Sequence, residues 1–199
     1  MAILNPFDRP CRPCDLKRLF PVWVVVSALL LSGAIEMPAQ TKISREYQIK
    51  AAFLFNFAQF VTWPPDAFTN AAAPFRIGIL GEDPFGAFLD ETVRNEKVNG
   101  HPLVVQRYRS AKDIKDCQIL FVSRSESRRV KRILADLKDR NILTVGDMED
   151  LVESGGIIRF STEKNKIHFQ VNLEAAKNAN LTISSKMLRL AEIVTPEKD

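Results

Sequence analysis

Cysteine is scarce. Of the three in the 199 residues, Cys11 and Cys14 precede the first long hydrophobic run, which leaves Cys117 as the only thiol after residue 34. That count excludes an intramolecular disulfide and a thiolate zinc cluster in the body of the chain. Histidine is scarcer: His101 and His168 are the only two, far apart and without H-x-x-x-H spacing. Glycine occurs eight times and never as G-x-G-x-x-G or a Walker loop, and no G-x-S-x-G elbow is present. No metal centre, nucleotide fold or serine-hydrolase constellation is legible, and the expectation is a protein without catalytic residues or cofactor.

What is present begins with a leader. Arg9, Arg12, Lys17 and Arg18 form a basic region, and Leu19 to Ser32 is a charge-free run of fourteen residues. Ser32, Gly33 and Ala34 supply the small residues of a cleavage site, with Ala39 as the alternative end. The run is short for a membrane span, which needs roughly 20 apolar residues. The expectation is an exported, periplasmic protein: residues 1–34 a cleaved signal peptide, 42–195 a single domain. Without the leader, Lys plus Arg falls from 28 to 24 and Asp plus Glu from 24 to 22, so the net charge is +2. Such a balance gives no general affinity for polyanions.

The stretch KAAFLFNFAQFVTWPP, residues 50–65, concentrates five aromatic side chains. Helical spacing places Ile49, Phe53, Phe57 and Phe60 on one stripe, widened by Leu54, Ala58 and Val61. Ser44 can cap the start and Pro64-Pro65 forbids continuation. This pattern predicts a core helix buried nearly all round.

Beyond it, FRIGILG (75–81), LVVQRY (103–108), QILFV (118–122) and ILTVG (142–146) read as strands, QILFV apolar enough to be covered on both faces. Helices are expected after Asp83-Pro84, from Ser125 to about Arg140, and briefly after Asp147 as far as Gly155-Gly156. IIRFS (157–161) and KIHFQVN (166–172) alternate as an antiparallel hairpin around TEKN. Asn172 caps a further helix, LTI (181–183) makes a short edge strand, and Ser184 or Ser185 caps a last helix reaching Val194. The pattern predicts an α/β domain: a mixed, mainly parallel sheet, helices on both faces, and a C-terminal antiparallel hairpin.

Three places compete as functional sites. The loop Gly81–Gly86 and Asp147 follow strand ends, where α/β crevices bind small ligands, although Asp147 and Glu149 serve equally as helix caps. The run Arg124, Arg128, Arg129, Lys131 and Arg132 has no interleaved aromatics, which argues against nucleic acid; it suits a solvated face, anionic headgroups or an acidic protein. On the hairpin, Arg159, His168, Gln170 and Asn172 alternate with Ile158, Phe160, Phe169 and Val171, so this polar set is the expected partner-binding face.

Read in order, KAAFLFNFAQFVTWP, GILGEDPFG, CQILFVS, ILTVGD, GGIIRF and HFQVNLEAAKNANLTISSKMLRLA resemble the successive signatures of the YfiR family, from Lys50 to Ala191. The resemblance implies a non-catalytic periplasmic repressor that binds the periplasmic domain of an inner-membrane diguanylate cyclase and lowers cyclic-di-GMP. It implies an outer-membrane lipoprotein as a second partner, and leaves a homodimer open. Cys117 matches one position of that family's disulfide redox sensor and is the redox candidate here, but the chain after its leader has no second thiol to pair with it.

Overall fold

The computed structural model describes residues 44–195; the leader expected over 1–34 lies outside the described residues. The chain opens with α1 (Arg45–Phe60), whose first turn is capped by the Ser44 hydroxyl accepting from the Glu46 amide. The helix gives way at Val61 to β1 (Val61–Thr62), just before Pro64-Pro65. A linker with one 3₁₀ turn then leads to β2 (Phe75–Leu80). Gln118 ties that linker down: its amide donates to Ala67 O (2.7 Å), while Trp63 Nε1 donates to Gln118 O (3.1 Å).

From β2 the chain runs through α2 (Ala87–Val93), β3 (Lys97–Val98) and β4 (His101–Tyr108) to β5 (Ile119–Val122). It continues through α3 (Val130–Asp136), β6 (Leu143–Gly146), β7 (Ile158–Glu163) and β8 (Lys166–Asn172). α4 (Leu173–Asn178), β9 (Thr182–Ile183), α5 (Ser185–Leu188) and β10 (Glu192–Val194) complete it. Eight strands form one sheet in the order β10-β8-β7-β6-β5-β2-β4-β3, and β1 pairs with β9 separately. All neighbours in the large sheet are parallel except the hairpin β7–β8 and the edge pair β3–β4. This is the expected mixed, mainly parallel α/β domain.

Two apolar layers cover the sheet. α1 and α2 pack on one face with Phe75, Ile77, Phe121, Phe160 and Phe169. α3 covers the other through Val130, Ile133, Leu134 and Leu137 against Leu120 and Val122. β5 is buried at every position, as its sequence predicts. At Gly78 the second layer comes so close that a Cβ would lie 2.7 Å from the Tyr108 ring and 2.8 Å from Cys117 Sγ. No helix among the described residues is long and apolar enough to cross a membrane.

Several expectations are corrected. α1 is half-covered rather than buried all round. Its buried face is Lys50, Ala51, Leu54, Phe57 and Ala58, whereas Ile49 is 41% and Phe60 38% exposed. The apolar stripe is rotated by about 100°, one residue's turn, from the one the phenylalanines suggested. α2 starts at Ala87, because Asp83 Oδ1 closes a turn on the Phe85 and Gly86 amides instead of capping a helix. The segment expected as a helix from Ser125 is a 3₁₀ stretch, Arg124–Arg129, followed by the short α3. Turns, not a helix, follow Asp147. The last helix stops at Leu188, and Glu192–Val194 form β10, parallel to β8. LTI joins β1 rather than the edge of the large sheet.

Candidate functional site

β2 lies between β4 and β5, parallel to both, and the helices leaving β2 and β5 go to opposite faces. The crevice beyond the carboxyl ends of these strands is the usual ligand position in such sheets. Here its polar groups bond one another. Ser125 Oγ accepts from the Glu82 amide at 2.9 Å and sits so close to Gly81, at φ +92°, that a Cβ there would approach it to 2.4 Å. Arg107, from β4, donates to Asp83 (2.8 Å) and Asp90 (2.5 Å) across the mouth of the loop.

Asp147, at the end of β6, anchors a buried charge cluster. Lys50, 1% exposed, extends from the covered face of α1 and places Nζ 2.6 Å from both Asp147 Oδ2 and Glu46 Oε1. Tyr47 donates its hydroxyl to the same Asp147 oxygen at 2.9 Å. Arg124 brings Nε to 3.1 Å from Oδ1, an ion pair on the carboxylate's other oxygen. The ammonium also lies over the Tyr47 ring, 4.5 Å from its centre. Burial alone would raise the Asp147 carboxyl, but Lys50, Arg124 and Tyr47 outweigh it and hold the group below its ordinary value. The hydrogen bond from Lys50 likewise lowers Glu46. Burial, reinforced by Asp147, pushes Tyr47 up to about 12. Asp147 is therefore neither a helix cap nor an open acid; it fastens α1 to the sheet. Lys50 was the residue that sequence reasoning missed, although its place one turn before Leu54 on the Ala51–Leu54–Ala58 stripe is the signal that marks it.

The hairpin face is only partly as expected. Arg159 Nη1 donates to Gln170 Oε1 (2.9 Å), and Gln170 Nε2 donates to Glu192 Oε2 (2.9 Å), a ladder across β7, β8 and β10. His168 is exposed beside it, opposite Ser161. Asn172 leaves the set: it is 3% exposed and its Oδ1 accepts from the Ala175 amide, so it caps α4. The outer edge of β8 is covered by β10. The Lys164-Asn165 turn, both residues at positive φ, closes the hairpin tip.

Cys117 is buried and donates to Ile119 O at 2.9 Å. Burial pushes its thiol up to about 12, which suppresses the thiolate that redox chemistry needs. An apolar cleft of about 150 Å³ opens beside α1, lined by Phe53, Phe57, Phe60, Phe169, Met187 and Leu190 among others. A wider cleft of about 370 Å³ opens between α3 and α4.

No curated protein matches this chain. One family model does, over residues 47–192, from the first turn of α1 to the first residue of β10, and thus over nearly all the elements described. By that match the chain belongs to the YfiR/HmsC-like family.

Proposed function

We propose that the chain is a periplasmic regulatory protein that binds the periplasmic domain of a membrane-bound diguanylate cyclase and represses it, lowering cyclic-di-GMP. The observation that carries this reading is the family match across 47–192. The internal pairing of the crevice groups Asp83, Arg107, Lys50 and Asp147 supports a binding role over a catalytic one. The partner contact is assigned to the polar ladder Arg159–Gln170 with His168, at the end of the sheet where β10 also exposes Ile193 (53%) and the preceding loop Leu190 (74%). Interfaces of this kind combine such apolar side chains with a polar rim. An outer-membrane lipoprotein that sequesters the protein would relieve the repression.

The test is made in the bacterium that encodes the protein. Deleting the gene raises cyclic-di-GMP, and the wild-type gene restores it. The pair Arg159→Glu with Gln170→Arg keeps a bonded ladder, since the new arginine also faces Glu192, but reverses the outward chemistry. That variant, exported at normal level, fails to restore repression. Unchanged cyclic-di-GMP after deletion would overturn the reading; full repression by the variant would move the contact off the hairpin.

A further inference from the structure

The segment Arg124–Arg132 carries five bases and one acid, Glu126, a net +4 in a chain whose net charge without its leader is +2, so the remainder is −2. The positive charge is thus concentrated on one edge, where the 3₁₀ turn enters α3. Arg124 is drawn to Asp147 and Arg129 to Glu126 (2.7 Å). Arg128, Lys131 and Arg132 are exposed and form no ion pair within 4.0 Å among the described residues. Lys131 and Arg132 stand in the opening turn of α3, where the helix end disfavours cations, and Arg128 lies in the 3₁₀ turn before it, three and four residues from them, the spacing at which like charges repel on a helix. The apolar side of the helix is already used, since Val130, Ile133 and Leu134 are in the core.

The exposed large apolar side chains, Ile49, Phe60, Val104, Leu173, Leu190 and Ile193, all come from other elements. A protein partner would be expected to find an apolar or aromatic centre in its footprint. A surface of long, exposed bases without such a centre matches a layer of anionic headgroups, which needs charge and no shape. We propose that Arg128, Lys131 and Arg132 form a docking surface for an anionic lipid bilayer, holding the protein against the membrane in which its target enzyme sits. The inference rests on the regulatory reading for its purpose, but lipid binding is measured without the cyclase, so either can fail alone.

The experiment is co-sedimentation of the purified exported protein with phosphatidylcholine vesicles, with and without about 30 mol % phosphatidylglycerol. Binding is expected only with the anionic lipid and is lost as salt rises from about 0.05 to about 0.5 M. The triple variant Arg128→Gln, Lys131→Gln, Arg132→Gln binds at least about tenfold more weakly. Its melting temperature stays equal to or above that of the wild type, which separates loss of the surface from loss of the fold. Equal sedimentation with neutral vesicles, or undiminished binding by the variant, would overturn the proposal. So would membrane association appearing only when the cyclase's periplasmic domain is added, which would assign the patch to an acidic protein.

Discussion

Lys50 is held by two carboxylates and a ring, and its own positive charge is what makes buried Asp147 tolerable. Replacing it with methionine keeps the volume and leaves Asp147 with Arg124 and the Tyr47 hydroxyl. The expected loss of stability is about 3–5 kcal/mol, the range for breaking a buried pair from one side. Lys50→Met with Asp147→Leu is expected to lose less than the sum of the two single changes, and urea denaturation of the four proteins measures the coupling. The same cluster sets an acid limit. Asp147 and Glu46 titrate lower in the folded chain than in the unfolded one, so their contribution is complete above the unfolded carboxylate value, near 4. It is lost as pH falls through the folded values. Denaturation midpoints followed from about pH 6 to about pH 3 show this decline, and Lys50→Met flattens it.

For the elements, the instructive case is α1. Its existence, cap and end were legible in Ser44, the phenylalanine spacing and the prolines, but its orientation was not. Three phenylalanines and Ile49 drew the apolar stripe toward Phe53 and Phe60, whereas the sheet covers Ala51, Leu54 and Ala58 and takes in Lys50. Small residues allow close approach, and periodicity cannot weigh that against ring size. Phe57, stacked on Phe160 at 5.7 Å and 2% exposed, is expected to cost about 3–5 kcal/mol on replacement by alanine. Phe60→Ala is expected to cost less than half as much, because over a third of Phe60 is already in water. Thermal denaturation compares them, and equal losses would mean that Phe60 is covered in solution. The parallel strands and the hairpin were equally legible from apolar runs and alternation. The hairpin face was legible only in part: Arg159, Gln170 and His168 sit where alternation put them, but nothing local in EIV announces a strand that would cover β8.

At the scale of the molecule, that last strand closes the sheet. β10 meets β8 at three positions, and Glu192 completes the ladder from Arg159. A chain ending at Ala191 loses these bonds, at about 1 kcal/mol for each of the three ladder positions, and bares the edge of β8. The expected outcome is a lower melting temperature together with concentration-dependent association, as uncovered edges recruit other chains. Light scattering over a dilution series detects it, and a truncated protein that stays monomeric would show that β8 needs no cover.

The contact between Lys50 and Asp147 spans 97 residues, and that from Thr162 to Glu46 spans 116. The first helix made is therefore among the last to find its place. As the chain emerges from its N-terminal end, Leu54 and Phe57 meet Phe75, Ile77 and Phe121 first, but Phe57 lacks its ring partners until Phe160 and Phe169 have followed. Until then one apolar side of α1 stays uncovered, a form open to capture by a holding chaperone, and that layer closes only when the hairpin has arrived.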